Sequence, residues 1–151
     1  MERCLACDLT AGRVPLPGGR IHERASWVVE HCVGPLGVGT LVVKPKRHVL
    51  HVWELDAAEA AELGPLLRDV TGAVGELLEA DQVYVCLWSH ADGRPVHIHW
   101  IVQPIQAGGG DGLHGPHLQA ALFDRGQLPE STGVEAVAKR LRTRLTATAA
   151  S

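Results

Sequence analysis

The sequence predicts one α+β domain built on an antiparallel sheet of about five strands. Three observations predict this class: short β-prone runs bounded by turn residues, one long amphipathic helix, and a short loop that turns one β-prone run back onto the next. A chain of 151 residues that is 46% hydrophobic and 21% charged is long enough for one core. We expect the domain to cover residues 1–145 and residues 146–151 to form a flexible tail.

Five β-prone runs are predicted to form the strands. They are residues 20–22, 27–30, 40–44, 82–88 and 96–104. Pro45 ends the third run because proline cannot donate to a ladder, so His48 is expected just beyond a strand end. The last two runs are joined by a short turn and should pair antiparallel, which is expected to bring Ser89 and Arg94 close to the last strand.

Two helices are predicted to pack against this sheet. Asp56 is a favourable N-cap, and leucine and valine recur at helical spacing from there to about residue 79. A last helix is predicted to begin at Pro129 and to run to Arg144. The glycine-rich segment 107–112 lacks the GxxxxGK[ST] pattern of a phosphate-binding loop, and we expect a flexible loop there.

Charge, hydropathy and cysteine content restrict the class of protein. The net charge of −3 and the pI near 6.3 do not indicate a nucleic-acid-binding protein. No leader-like segment and no apolar run of the ~20 residues that a membrane span requires are found, so a cytoplasmic location without membrane attachment is expected. In a reducing compartment the four cysteines are expected to be metal ligands or buried thiols rather than disulfides.

Two histidines lie on the last predicted strand. Because alternate side chains of a strand share a face, His97 and His99 are expected side by side, opposite an apolar face that looks like core. Ile101 and Gln103 continue the face of the histidines. An imidazole can be a metal ligand, a base or a nucleophile. The alternative is a pair of half-exposed histidines without a chemical role.

Two cysteines near the start of the chain have the spacing of half a zinc site. Cys4 and Cys7 are separated by two residues; a redox pair and two buried thiols are the alternatives. A zinc site needs four soft or borderline ligands. Of the nine histidines, His48 and His97 are the ones that a sheet could present to the N-terminal segment. The hypothesis is a Cys2His2 zinc site.

The order of these motifs resembles that of the histidine triad (HIT) family of nucleotide hydrolases and transferases along nearly the whole chain. The resemblance is carried by the Cys4 and Cys7 pair, by residues 39–48, by the His97-Ile98-His99 run, by Pro104 and by the end of the last helix. It implies a HIT-like fold, a homodimer, and a structural zinc. The implied zinc ligands are Cys4, Cys7, His48 and His97.

The resemblance also implies a role for His99, which matches the nucleophile of the family. That histidine attacks the α-phosphate of a nucleotide and forms a nucleotidyl-histidine, which water or another acceptor resolves. The main-chain carbonyl of His97 is the implied acceptor for the other ring nitrogen of His99. Zinc on the His97 side chain would fix the segment that sets this geometry.

The chain departs from the family motif H-x-H-x-H at its third position, where Ile101 replaces histidine. Other polar residues are candidates to bind the substrate in its place, since arginine in particular presents a planar fork to phosphate oxygens. These candidates are Arg94, Gln103 and Ser89, together with Glu30 as a nucleotide-binding acid.

Three functional hypotheses follow. The first is a nucleotide hydrolase or nucleotidyl transferase that acts on a small nucleotide or phosphorylated substrate through His99. The second is a zinc-stabilised ligand-binding protein that keeps the fold without turnover. The third is an altered enzyme in which His99 is a general base for a different substrate.

Overall fold

The computed structural model describes residues 3–149. The strands are β1 (Arg20–Glu23), β2 (Trp27–His31), β3 (Leu41–Pro45), β4 (Gln82–Leu87), β5 (His90–Ala91), β6 (Arg94–Pro95) and β7 (Trp100–Ile105). The α-helices are α1 (Leu5–Thr10), α2 (Ala57–Leu77), α3 (Gly115–Arg125) and α4 (Ser131–Ala149). Among the described residues, none of the helices combines the length and apolar content that crossing a membrane would require.

The main sheet has five strands in the order β1-β2-β3-β7-β4, and every neighbouring pair is antiparallel. This confirms the predicted α+β class and strand number. One face, which we call the helix face, packs against α2 and α4 and contains the main hydrophobic core. The opposite face, called the site face below, carries a smaller apolar cluster around Ile101. Strands β5 and β6 form a separate hairpin between β4 and β7.

Helix α2 begins where its sequence predicts. The Asp56 side chain accepts a hydrogen bond from the Glu59 amide at 2.8 Å, and the Glu59 side chain accepts one from the Asp56 amide at 2.9 Å. This reciprocal cap satisfies amides that would otherwise lack partners at the helix start. Leu66, Val70 and Val74 are fully buried against the sheet. Burying each such side chain stabilises the fold by about 1.5–3 kcal/mol.

The histidine segment is not part of a strand, which corrects the predicted strand over residues 96–104. β7 begins only at Trp100, so His97 and His99 lie in the extended approach to it. The Ile98 amide donates to the carbonyl of Val49 at 2.8 Å, in the segment that follows β3. This backbone bond turns the chain away from the ladder of the sheet and places the histidines beside the end of β3.

The glycine-rich region and the C-terminus contain more helix than predicted. A short 3-10 turn at Gly110–Gly112 leads into α3, which ends at Gly126 in the left-handed region with φ 62°. Helix α4 extends to Ala149, so the predicted tail is helical over residues 146–149, and residues 150–151 lie outside the described residues. A buried stripe at helical spacing packs α4 against the rest of the domain as far as Leu145. The stripe consists of Val134, Ala138, Leu141 and Leu145.

Candidate metal centre and active site

Helix α1 lies over the site face and brings the two N-terminal cysteines to the end of β3. The Lys44 ammonium donates to the carbonyl of Ala6 at 2.8 Å and forms an ion pair with Glu30 at 2.5 Å. Both charged side chains are buried. The sheet thus holds α1 by a charge-assisted hydrogen bond close to Cys7.

Four side chains converge beside α1: Cys4, Cys7, His48 and His97. Their ligand atoms all lie within 4.8 Å of one another. The His97 Nδ1 atom is 3.7 Å from Cys4 Sγ and 3.4 Å from Cys7 Sγ, and His48 Nδ1 is 3.4 Å from Cys7 Sγ. The two imidazole rings meet edge to face with their centroids 5.1 Å apart. The structure thus brings together the four residues of the Cys2His2 hypothesis.

The donor set and its spacing suit a zinc ion. In a tetrahedral site with Zn–N and Zn–S bonds of about 2.0–2.3 Å, neighbouring ligand atoms lie about 3.3–3.8 Å apart. The sulfur–nitrogen distances of 3.4 and 3.7 Å fall in this range. Burial, followed by the hydrogen bond and charge of Cys4, raises the pKa of Cys7 to about 11. Bound zinc would hold these sulfurs as thiolates instead.

The backbone orients His97 toward the two sulfurs. Its Nε2 lies 3.0 Å from the carbonyl oxygen of Pro45, an atom that can only accept, so Nε2 carries the proton and Nδ1 presents its lone pair to the cysteines. Burial, and next the charge of His48, lowers the pKa of His97 to about 4. The ring is therefore neutral at neutral pH, which is the form that binds a metal.

His99 is held from two sides next to this centre. Its Nδ1 lies 2.9 Å from the His97 carbonyl oxygen, and its main-chain amide donates to the Ser89 hydroxyl oxygen at 3.0 Å. Because a carbonyl oxygen can only accept, Nδ1 carries the proton, and in the neutral ring Nε2 keeps its lone pair. Half-buried His99 is thus oriented as a nucleophile or general base requires.

Three solved structures with this architecture are described as histidine triad or Hit-like proteins. A Zn-bound histidine triad family protein from Mycobacterium smegmatis matches with a TM-score of 0.70 and 20% identity over 97% of this chain and 96% of its own. A hypothetical histidine triad nucleotide-binding protein from Sulfolobus tokodaii matches with a TM-score of 0.73 and 18% identity over 95% and 93%. A Hit-like protein involved in cell-cycle regulation from Bartonella henselae matches with a TM-score of 0.70 and 17% identity over 94% and 96%.

The chain has the histidine triad fold. No family model and no curated protein sequence matches it. The likeness therefore rests on structure, together with the Cys/His cluster that fits a zinc-bearing member of this fold.

The third position of the predicted triad is a buried apolar position. Ile101 is only 6% exposed and belongs to the apolar cluster of the site face. Its neighbours there are Cys32, Leu36, Val42, Cys86 and Leu122. Because Leu122 belongs to α3, Ile101 forms part of the apolar surface against which that helix packs. An apolar side chain suits this position better than an imidazole would.

Two predicted substrate contacts are engaged inside the protein, which argues against their predicted roles. The buried Gln103 amide donates to the Leu36 carbonyl at 3.3 Å and accepts from Gln119 at 3.0 Å. Glu30 is buried in the ion pair with Lys44. Alternation along the last strand correctly placed Gln103 on the face of the histidines, and Glu30 was a candidate through the family resemblance. Neither argument could show that protein groups already occupy their polar atoms.

The other two predicted contacts lie on the chain segment that leads to the histidines. Ser89 holds the His99 amide, and Arg94 is an exposed residue of the hairpin strand β6. Sequence reasoning missed Lys44 and Gln119, which hold α1 and α3 on the site face. The sequence did offer a signal for Lys44, because a lysine that follows the apolar residues of a predicted central strand is expected to be buried. No local pattern identified Gln119, because its helix was not predicted.

Proposed function

We propose that this protein is a nucleotide hydrolase or nucleotidyl transferase that cleaves at an α-phosphate through His99. The observation that carries the proposal is the contact of 2.9 Å between His99 Nδ1 and the His97 carbonyl, beside the Cys/His cluster. This contact sets the tautomer and the direction of Nε2 before a substrate arrives. The fold supports a function of this class through its likeness to histidine triad proteins.

The reaction has two displacement steps. His99 Nε2 attacks the α-phosphorus, and the N–P bond forms as the bond from phosphorus to the leaving group breaks. The leaving group departs with the bonding electrons and takes a proton from solvent. Water or another acceptor then attacks the nucleotidyl-histidine, loses its proton to solvent and frees Nε2. During the first step the His97 carbonyl stabilises the positive charge that develops on the His99 ring.

We assign phosphate binding to polar groups on the chain segment that leads to His99. The Ser89 hydroxyl accepts from the His99 amide and can still donate its own hydrogen to a phosphate oxygen. Arg94, three residues before His97, offers the planar fork that binds phosphate in pairs of hydrogen bonds. Since a missing transition-state donor costs about 10²-fold or more, we expect turnover to be slow with Ile101 at the third position.

A groove of about 320 Å³ beside α1 can take the nucleoside. It runs between α1, the end of β2 and the start of α4, and its apolar lining includes Leu5, Leu9, Val33 and Leu128. Cys32 lines the groove and also packs with Ile101, which links the groove to the strand that follows His99. An apolar slot of this kind suits the faces of a purine or pyrimidine ring.

We assign zinc a structural role. When bound, it would crosslink α1 to the end of β3 through Cys4, Cys7, His48 and His97. Four protein ligands complete a tetrahedral site, so no position stays open for a substrate. The zinc site orients His99 only through the backbone of His97.

The test compares the wild type with His99→Ala on adenosine and guanosine phosphoramidates and dinucleoside polyphosphates. We expect release of the nucleoside monophosphate to fall by more than about 10³-fold in the variant, because the nucleophile is lost. His117→Ala, which removes an exposed histidine of α3, is the matched control and should retain activity. Equal turnover by the His99 variant and the wild type would refute the proposal.

A second candidate is a ligand-binding protein that does not turn over its ligand. The burial of Ile101 and the internal bonds of Gln103 favour it, since both remove polar groups from the phosphate site. In that case no phosphoramidate or polyphosphate is cleaved, while a nucleoside monophosphate binds equally well to the wild type and His99→Ala. Calorimetric titration of both proteins with AMP and GMP distinguishes the two candidates.

We also propose a cytoplasmic homodimer. The four free cysteines suit a reducing compartment. The homodimer is what the resemblance to the histidine triad family implies. Light scattering should give the mass of a dimer for the wild type. A monomeric wild type would contradict the proposed dimer.

A further inference from the structure

Trp88 is a large aromatic side chain that is 60% exposed next to the candidate active site. It follows β4 directly, and Leu87 at the end of β4 is in register with Trp100 at the start of β7. Trp88 lies in the chain between this last pair of the ladder and Ser89. Ser89, the next residue, accepts the hydrogen bond from the His99 amide.

The indole is held in a defined orientation although it is exposed. Its Nε1 donates to the side-chain oxygen of Gln119 at 2.8 Å. The Gln119 amide nitrogen in turn donates to Gln103 at 3.0 Å and contacts Cys86 Sγ at 3.1 Å. Gln119 and Gln103 are both buried. The exposed indole is therefore held in place by a hydrogen-bonded chain of buried amide side chains.

A groove of about 320 Å³ opens in front of this indole. It lies between β4 and the start of α3 and is lined by Tyr84, Cys86, Trp88, Pro116 and Gln119. This groove is distinct from the one between α1 and β2, whose lining includes none of these residues. The groove assigned to the nucleoside therefore lies toward β2 and the aromatic wall at Trp88 lies toward β4, with β3 and β7 between these two strands.

We propose that Trp88 is a specificity-determining residue that stacks on a planar ring in the leaving group of the substrate. The inference rests on the proposed function and adds a substrate class: nucleoside phosphoramidates or phosphoesters whose leaving group carries an aromatic ring. A fixed indole loses little conformational freedom when it stacks, and any aromatic ring offers it a π-face. Gln119 is a positioning residue, because it acts through the orientation of the indole.

The experiment compares two adenosine 5′-phosphoramidates of nearly equal size, one with benzylamine and one with cyclohexylmethylamine as the leaving group. The measured quantity is the ratio of their kcat/KM values, because differences in amine basicity cancel when the ratio is compared between variants. We expect this ratio to be about 5-fold or more higher for the wild type than for Trp88→Ala, which corresponds to the lower range of ring stacking on an aromatic side chain.

Four variants make the test specific. Trp88→Leu and Trp88→Ala should lower the ratio to the value that amine basicity alone sets, whereas Trp88→Phe should retain part of the difference from that value. Gln119→Leu should lower the ratio through loss of indole positioning. Trp53→Ala is the control, since Trp53 is 80% exposed and stacks on His51 with their centroids 4.2 Å apart. It should keep the wild-type ratio.

The outcomes separate this inference from the proposed function. An unchanged ratio in folded Trp88→Leu and Trp88→Ala overturns the role of Trp88 and leaves the proposed function in place. A wild type that cleaves neither substrate rejects the proposed function, and this inference with it.

Discussion

At the scale of single residues, Ile101 decides how closely this site can follow the histidine triad pattern. Restoring the missing histidine by Ile101→His should lower the free energy of unfolding by about 2 kcal/mol, because an imidazole in this apolar cluster would lack a hydrogen-bond partner. We expect no gain in turnover, since the position is buried. Urea unfolding and the phosphoramidate assay measure the two effects.

Ile101→Leu is the control for this substitution. It keeps an apolar side chain of the same volume and should cost less than about 1.5 kcal/mol. A histidine variant that is as stable as the wild type and faster would show that position 101 reaches the substrate during turnover.

Glu59, in the first turn of α2, makes the stability of the start of this helix depend on pH. The hydrogen bond from Arg47, at 2.7 Å, is the main cause that lowers the pKa of Glu59 below its usual value. Because the folded pKa lies below the unfolded one, this stabilisation is complete above the unfolded pKa of about 4.3 and is lost as the pH falls through the folded value.

Glu59→Gln should therefore make the free energy of unfolding less dependent on pH in the acid range. Between about pH 5 and about pH 3, urea unfolding should show a smaller loss of free energy for the variant than for the wild type. Glu135→Gln, on the exposed side of α4, should follow the wild-type curve. Parallel curves for the wild type and Glu59→Gln would exclude this ion pair as a source of the pH dependence.

At the scale of elements, α1 depends on one buried ion pair for its position. Lys44→Met removes the donor to Ala6 and leaves Glu30 as an unpaired buried charge. We expect a loss of about 3–5 kcal/mol in unfolding free energy and weaker zinc binding, because the cysteines of α1 lose their support. Urea unfolding gives the first quantity, and competition with a chromophoric chelator gives the second.

The double variant Glu30→Leu with Lys44→Met separates these effects. One Glu30 oxygen is buried without a hydrogen-bond partner among the described residues, so the ion pair is imperfectly satisfied. Replacing both charges should recover most of the stability lost in the single variant. Zinc binding should stay weak, since the bond to Ala6 is still missing. Wild-type zinc affinity in both variants would contradict the anchoring role.

At the scale of the whole molecule, the Cys/His cluster joins the start of the chain to the sheet. Saturating zinc at about 1000 times its Kd adds about 4 kcal/mol of stability. For a chain of this size, that corresponds to a Tm about 10 °C higher than that of the metal-free protein. A strong chelator should lower the Tm of the zinc-loaded wild type by this amount.

The Cys4→Ser, Cys7→Ser double variant is the control for zinc removal. It should melt close to the chelated wild type and respond little to the chelator, because its site lacks the two sulfur ligands. Metal analysis of the purified wild type should find about one zinc per chain, as four ligands in one cluster require. Protein without zinc whose melting ignores the chelator would contradict the assignment.

The sequence by itself determined the α+β class, the five sheet strands, the span of α2 and the four residues of the Cys/His cluster. These depend on local signals such as β-prone runs, the cap at Asp56 and ligand residues, and on the motif order that resembles the histidine triad family. The buried stripe of α4 ends at Leu145, so it carried no signal for the helical residues 146–149.

Only the tertiary structure decided which polar residues remain at the site. Gln103 and Glu30 have the right type and face, but their hydrogen bonds go to Leu36, Gln119 and Lys44, which are distant in sequence. The aromatic wall at Trp88 depends equally on α3, a helix without a strong local signal. Hydrogen-bond partners across such distances are selected by packing, and periodicity along the chain carries no information about them.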